Sequence, residues 1–533
     1  MSLADSEDFT GLSTVPCDSV CCSDSGFQIS TLVSGMEPDT SERSRDHDHP
    51  KDDAWSESAF ASRYTSAHVP KDRLPDEEMP AHIAYQLVSD MRALDCNPRL
   101  DLASFVTTWM EPEAGKLMME SLAVNHVDME QYPSSTEMQN RCVTMLTNLY
   151  HGECDNAGLG TGTATIGSSE AIMLGGLAMK KAWQAKRKAA GKPYDKPNLV
   201  MGYEVQVCWE KFTRYFDVEE KFVHLTEDCF VMTPEKMVEA IDENTIGVCA
   251  ILGSTYTGQY EDIEKMDQLI GELNKKTGWD VPIHVDAASG GFVAPFVYPD
   301  LKWDFQLPNV KSINVSGHKY GLVYAGLGWI LFRNRAALPE ELIFHTNYLG
   351  SDQPSVTLNF SKGASNIIAQ YYMFLRLGFR GYKKIMSNLM TVTKRLEEGI
   401  LETGHFSILS HKEKGLPLVA FSLNEMVEKD GKHHRRNYSE YDIADRLRMH
   451  HWFLPAYTMA PDAGNVKLLR CVVREDLSMG MVDNLVADIR RVVEQLDKLF
   501  VFTDQEVDVF AHRLHVQNYE LKDDPNSKQN GVC

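Results

Sequence analysis

From about Pro80 onward the chain switches repeatedly between two spacings of apolar residues. The stretch that starts Ala81-His-Ile-Ala-Tyr-Gln-Leu-Val sets them at helical intervals. Between about 116 and 378, helix-like segments alternate with short apolar runs at 198–202, 221–226, 246–254, 282–287, 311–316 and 326–332. That alternation predicts an α/β fold, with a mainly parallel sheet wrapped by helices. After Gly378 the pattern changes to long charged helices, such as 383–403, with strand-like segments at 416–423 and 466–473. A smaller α+β domain is expected there. The expected divisions are 1–79, a leader; 80–115, a helical arm; 116–378, the large domain; 379–505, the small domain; and 506–533, a polar tail.

Composition narrows the picture. The 533 residues are 43% apolar, enough to bury a large core, and no uninterrupted apolar run is long enough to predict a membrane span. The formal charge of −23 disfavours nucleic acid and anionic membranes as partners. The leader and its junction, 1–80, hold 17 Asp and Glu against 6 Lys and Arg, a net −11, and read as disordered. The opening Met-Ser-Leu-Ala-Asp-Ser-Glu-Asp has neither a basic nor an apolar targeting region, so a cytoplasmic address is expected. Eleven scattered cysteines without a CxxC pattern fit reduced thiols rather than a disulfide framework or a metal site. His433, His434, Arg435 and Arg436, within 428–436, read as a solvated loop, and no metal is expected.

The candidate chemistry sits at the ends of the apolar runs. Ser316-Gly-His-Lys-Tyr-Gly places Lys319 beside His318 and Ser316, where a lysine amine can hold an aldehyde cofactor. Upstream, His284-Val-Asp-Ala-Ala-Ser-Gly-Gly offers Asp286, an acid able to face a pyridine nitrogen and favour its protonated form. The Gly- and Thr-rich stretch 158–171, ending Ile166-Gly-Ser-Ser-Glu-Ala, supplies small residues and hydroxyls before a helix, as a phosphate cup requires. It lacks the third glycine of a dinucleotide fingerprint, because Thr163 stands there. A phosphate loop, an acid and a lysine in that order point to pyridoxal 5'-phosphate.

With Leu102-Ala-Ser-Phe-Val-Thr-Thr-Trp, Val205-Gln-Val-Cys-Trp, Thr255-Tyr-Thr-Gly and Asn359-Phe-Ser added, the chain resembles the glutamate decarboxylases over roughly 80–505. These belong to the group II pyridoxal-phosphate-dependent amino-acid decarboxylases. The resemblance implies the aspartate-aminotransferase-like, type I fold and a Schiff base on Lys319. It implies phosphate contacts from Ser168, Ser169, Ser316 and His318, with Ser361 contributed by the neighbouring subunit. It further implies that Asp286 meets the pyridine nitrogen, Gln206 and Ala288 cover the two ring faces, and Thr255 bonds the phenolic oxygen. For substrate it implies Arg470 on the α-carboxylate and Ser104, Phe105, Asn125 and Asp128 around the distal carboxylate, in part from another subunit. An acid such as Asp128 beside a substrate carboxylate must share a proton or repel it, which predicts an acidic pH optimum. Tyr348, in Asn347-Tyr-Leu-Gly, and His318 are the candidates to return a proton to Cα.

The activity implied is decarboxylation of L-glutamate to 4-aminobutanoate and carbon dioxide. The alternatives are another amino acid, such as aspartate, or a non-catalytic scaffold. The arm at 80–115 would pack on a partner subunit; the resemblance implies at least a dimer, and similar enzymes are often hexamers. No calmodulin partner is expected, because the tail lacks the Trp and the Lys run of the plant extension.

Overall fold

The computed structural model describes residues 71–226, 229–347, 353–410, 414–429 and 432–499. The leader, the tail from 500 onward and Tyr348 lie outside the described residues. The chain divides into two compact units, 1–92 and 93–533. In the first, the described part is the stretch from Lys71 with helix α1, Ala81–Arg92. The division falls inside the segment that the sequence groups as an arm.

The second unit begins with α2 (Pro112–Glu120) and α3 (Pro133–Leu149). Strands and helices then alternate through β1 (Thr161–Thr165), α4 (Ser168–Ala189), β2 (Asn198–Gly202), α5 (Val207–Tyr215), β3 (Glu219–Val223) and α6 (Pro234–Ala240). There follow β4 (Thr245–Ile251), α7 (Ile263–Thr277), β5 (Ile283–Asp286), the single turn α8 (Ala294–Val297), β6 (Val310–Val315) and β7 (Gly328–Phe332). These strands form one seven-stranded sheet in the order β1-β7-β6-β5-β4-β2-β3. All neighbours run parallel except β7, which is antiparallel to both β6 and β1. β2, β4 and β5 are buried at every position, as strands covered on both faces must be.

A short hairpin, β8 (Phe344–Thr346) and β9 (Gln353–Ser355), precedes the long helix α9 (Ser365–Glu402). α9 breaks at Gly378, where φ is 55°. A side chain is strained at that angle, so glycine lets the helix turn there. The C-terminal part contains β10 (Phe406–Ile408), β11 (Leu418–Leu423), β12 (Met426–Lys429), β13 (Lys432–Arg435), α10 (Glu440–Arg448), β14 (Ala456–Thr458), β15 (Lys467–Val472) and α11 (Met479–Leu499). Strands β10-β11-β15-β14 make an antiparallel sheet. The fold is thus the type I α/β architecture with a second antiparallel sheet.

Several local expectations change. The stretch 158–167 is mostly strand: Thr161, Thr163 and Thr165 give β1 its β-branched alternation, and only Ile166 and Gly167 remain as a loop before α4. The run expected at 221–226 begins earlier, at Glu219. The expected loop at 428–436 is the hairpin β12–β13, and the Arg436 that follows it is buried. Arg436 Nε donates to Asp497 Oδ1 at 2.9 Å and Nη1 to the Asn424 carbonyl at 2.5 Å, which removes it from any surface patch.

Arg474, 2% exposed, ties the two parts of this unit together. Its Nη1 donates to the carbonyls of Asp101 (2.6 Å) and Ser104 (2.8 Å), and Nη2 to that of Pro98 (2.9 Å). Replacing it strands three carbonyls and removes the cation 3.8 Å from Asp476 Oδ1. Arg474→Met is expected to lower stability by about 3 kcal/mol, the cost of breaking a buried charged network. Thermal denaturation would show it as a drop in Tm, and an unchanged Tm would mean that segment 98–104 is held elsewhere.

Candidate active site

The C-terminal ends of the parallel strands open on a cavity of about 680 Å³, the size of a small-molecule site. Five groups of its wall residues arrive where a strand ends. Ser168 starts α4 after β1, Gln206 caps α5 after β2, Thr255 follows β4, Asp286 ends β5, and Ser316 to Lys319 follow β6. Such placement at strand ends is where α/β sheets bind ligands.

Asp286 is 7% exposed and held by three donors. Trp209 Nε1 donates to Oδ2 at 2.9 Å, while Asn314 Nδ2 (2.9 Å) and the Ala288 amide (3.1 Å) donate to Oδ1. The grip continues inward. Because Asn314 gives its amide N–H to Asp286, its Oδ1 faces His284 Nε2 at 2.7 Å and accepts a hydrogen bond from it. His284 Nδ1 is then left to accept from Ser312 Oγ at 2.7 Å. Burial lowers the His284 pKa, so the ring is held neutral in a single tautomer.

Lys319 Nζ lies 3.1 Å from Ser289 Oγ and 5.3 Å from the Phe105 ring centre. Thr107 Oγ1 donates to the Lys319 carbonyl at 2.7 Å, and the Thr107 amide to that of His318 at 2.9 Å, which fixes Ser104 and Phe105 against the lysine loop. His318 Nδ1 accepts the Leu327 amide at 3.1 Å, so its ring proton sits on Nε2. Burial, helped by the Lys319 charge, lowers the His318 pKa to about 4, and the ring is neutral near neutral pH.

Ser168 Oγ and Ser316 Oγ stand 2.5 Å apart at the start of α4, whose N-cap Gly167 carries no side chain to occupy the first amides. Two hydroxyls and open helix amides at one point suit an anion. Glu170, 4% exposed, braces this corner. Its Oε2 accepts the Ile166 amide at 2.9 Å, and its Oε1 accepts those of Leu358 (2.9 Å) and Asn359 (3.1 Å).

Arg470 is fully buried behind the cavity, in a small recess shared with Glu204, Gln206 and Thr255. Its Nη1 and Nη2 donate to the carbonyls of Thr255 (2.6 Å) and Ala103 (2.5 Å), and its Nε has no hydrogen-bond partner among the described residues. The guanidinium lies 5.0 Å from the Phe105 ring centre and 5.5 Å from that of Tyr457. Phe105 is therefore flanked by two cations, Lys319 and Arg470.

The expected residues fall into two groups. Ser104, Phe105, Ser168, Ser169, Gln206, Thr255, Asp286, Ala288, Ser316, His318 and Lys319 all line the cavity, and Arg470 lines the adjoining recess. Asn125, Asp128 and Ser361 do not. They form a patch of their own, because His126 N donates to Lys362 O at 2.7 Å, Asn125 Oδ1 accepts the Lys362 amide at 3.3 Å and Asn125 Nδ2 reaches Asp128 at 3.2 Å. Ser361 is exposed. Sequence reasoning missed Ser289, Asn314, His284, Ser312 and Trp209 as the supports of Lys319 and Asp286. Two of these, His284 and Ser289, stand inside the motif that singled out Asp286, but only the pairing of β5 with β6 shows what Asn314 and Ser312 touch.

Residues 75–424 match the family described as "Pyridoxal-dependent decarboxylase conserved domain". The chain is 59% identical to glutamate decarboxylase 5 of Arabidopsis thaliana over 83% of its length and 87% of that protein. It is 57% identical to the Petunia hybrida glutamate decarboxylase over 83% and 86% of the two chains. Among solved structures, the Lactobacillus brevis glutamate decarboxylase superposes with a TM-score of 0.77 at 41% identity, covering 82% of this chain and 97% of the other. A Burkholderia pseudomallei sphingosine-1-phosphate lyase, at 19% identity and a TM-score of 0.66, shares the fold alone and covers 86% of this chain and 99% of its own.

The Asp286 support makes a stability prediction. Asn314→Leu leaves the His284 Nε2 proton without its partner and takes one of two donors from Asp286 Oδ1 in a dry core, at an expected cost of about 2–4 kcal/mol. Ser312→Ala is expected to cost roughly 1 kcal/mol, since only a neutral hydrogen bond is lost. Equal shifts in Tm for the two variants would contradict the hydrogen-bond order assigned to the relay.

Proposed function

The chain belongs to the pyridoxal-dependent decarboxylases, in their glutamate decarboxylase branch, and on that premise we propose that its cavity binds pyridoxal 5'-phosphate and decarboxylates L-glutamate to 4-aminobutanoate and carbon dioxide. The observation that carries this reading is the convergence on one cavity of a lysine, a clamped carboxylate and a hydroxyl-lined helix start. These fit the cofactor's aldehyde, ring nitrogen and phosphate. When bound, the cofactor supplies an electron sink for the bond that breaks at the substrate Cα.

The chain's own residues do the rest. Lys319 Nζ is the amine that holds the cofactor. Ser168, Ser169 and Ser316 bind its phosphate together with the α4 amides, and neutral His318 adds an Nε2 donor. Asp286 keeps its carboxylate toward the ring nitrogen because Trp209, Asn314 and the Ala288 amide fix both oxygens. Gln206 and Ala288 cover the ring faces, and Thr255 bonds the phenolic oxygen. Arg470, whose buried Nε lacks a hydrogen-bond partner among the described residues, grips the substrate α-carboxylate and thereby sets the angle of the breaking bond. Ser104 and Phe105 face the rest of the substrate. The low pKa of His318 makes it a poor carrier of a positive charge, which leaves Tyr348 as the preferred source of the proton at Cα.

Asn125, Asp128 and Ser361 complete the site of a second copy of the chain. They share one patch, and Leu358 and Phe360 beside them expose 48% and 41% of their surface, an apolar face suited to burial in a homo-oligomer.

Two experiments test the reading. Carbon dioxide release from L-glutamate should fall by roughly 10²–10³ in Asp286→Asn, which keeps the shape and removes the charge. Lys319→Ala should be inactive and colourless. Retained yellow absorbance in Lys319→Ala, or faster turnover of aspartate than of glutamate by the unaltered protein, would overturn it. The shared site is tested by mixing. Lys319→Ala chains and chains carrying Asn125→Ala with Asp128→Ala should regain activity as hybrids, and no recovery would place each site within one chain.

A further inference from the structure

Between the ends of β2 and β4 lies a pair of buried carboxyl groups with no part in the chemistry above. The β2–β4 register ends at Val200 and Val248, although β4 runs on to Ile251. Glu261 fills the gap. The turn that follows Leu252 brings it back, and its Oε2 accepts the Ile251 amide at 2.5 Å while its own amide donates to the Ile251 carbonyl at 3.2 Å. From the other side comes Glu204, just past β2. Its Oε1 accepts the Met232 amide at 2.5 Å, and its carboxyl folds back over Gly202, where a Cβ would lie 2.1 Å from Oε2.

Glu204 and Glu261 are 1% and 4% exposed. Their remaining oxygens, Glu204 Oε2 and Glu261 Oε1, meet no donor among the described residues, and the two carboxyl groups lie within reach of a mutual hydrogen bond. Two carboxylates can only accept, so such a bond requires a proton on one of them. Their surroundings hold little positive charge. Cys249 of β4 interacts with both glutamates, with Asp286 and with Cys208, while Tyr256 interacts with Glu204, Glu210, Tyr457 and Arg470. Arg470 is the one cation in that set, and its terminal nitrogens are already given to carbonyls.

We propose that Glu204 and Glu261 share a proton and act as a positioning pair, pinning the ends of β2 and β4 so that Gln206 and Thr255 hold their places at the cavity. This rests on Gln206 and Thr255 being cofactor contacts. The link is short in both directions, since Gln206 lies two residues after Glu204 and Thr255 four after Ile251, and Glu204, Gln206, Ile251 and Thr255 all line the cavity. Burial pushes the Glu204 carboxyl up to about 7, and burial together with the Glu204 charge raises the Glu261 carboxyl well above its ordinary value. In the unfolded chain a glutamate keeps its ordinary value of 4.5, so between the two values the folded protein holds protons that the unfolded chain has released. Glu204's share of the pair's stabilising effect is complete below about 4.5 and is lost as pH rises through about 7, which leaves the proton on Glu261.

The test uses the holoenzyme. Infrared spectra on the alkaline side of pH 7 should show a protonated-carboxyl C=O band that disappears in the Glu204→Gln, Glu261→Gln double variant. The dissociation rate of pyridoxal phosphate from the wild type should rise with pH through about 7 and be flat in Glu204→Gln, which keeps the hydrogen bond without the titration. Glu204→Leu should release the cofactor roughly tenfold faster than the wild type below pH 7, the scale on which outer hydrogen-bonding partners act. No carboxyl band in the wild type, or a Glu204→Gln profile identical to the wild type, would overturn the proposal, and both readouts stand if Glu204→Leu fails to fold. A wild type that binds no pyridoxal phosphate would instead overturn the cofactor reading and leave the infrared result intact.

Discussion

The parallel pairing of β5 with β6 is the constraint on which the site depends. It sets Asp286 opposite Asn314 and His284 opposite Ser312, and both pairs become hydrogen-bonded links of one relay. The same pairing brings the loop after Val315, with Ser316, His318 and Lys319, alongside the end of β5. An acid and a lysine distant in sequence thus acquire a fixed separation from backbone geometry. Side-chain adjustment could not achieve that as rigidly, because register in a sheet buried on both faces cannot slip without exposing the core.

Around that pairing the molecule meets the cost of buried charge in three different ways. Asp286 is surrounded by N–H donors, Arg470 by backbone carbonyls and aromatic faces, and Glu204 with Glu261 by a proton held between them. Each solution leaves a charged or polar group fixed in direction at the cavity or just behind it. Fixed groups are what catalysis by orientation needs, since solvent inside such a site would have to reorganise at every turnover.

Much of this was legible in the sequence. The apolar runs place six of the seven sheet strands within a few residues, and the three motifs contain Ser168, Asp286 and Lys319, which line one cavity. β1 was hidden because glycine and threonine serve a phosphate loop and an edge strand equally well, and it is the pairing with β7 that decides between them. The β12–β13 hairpin was hidden because its charges read as solvated until Asp497, far along the chain, claims Arg436. Glu261 was invisible for a related reason: its side chain replaces a missing rung between strands, and only the sheet shows that the rung is missing. Asn125, Asp128 and Ser361 come together in a patch that does not line this chain's own cavity, and the site proposed for them is that of a second copy.

The central claim is that Lys319 Nζ, and no other amine, is the point where this fold grips its cofactor. Lys362 is the informative rival, because burial lowers its pKa to about 8 and it lies beside the cup, with its Nζ 3.3 Å from the Ala164 carbonyl. Borohydride reduction of the pyridoxal-phosphate-loaded protein, followed by proteolysis and mass spectrometry of the labelled peptide, distinguishes them directly. The account predicts a single modified lysine, at Lys319; a label on Lys362, or no label on a protein that still releases carbon dioxide from L-glutamate, would contradict it.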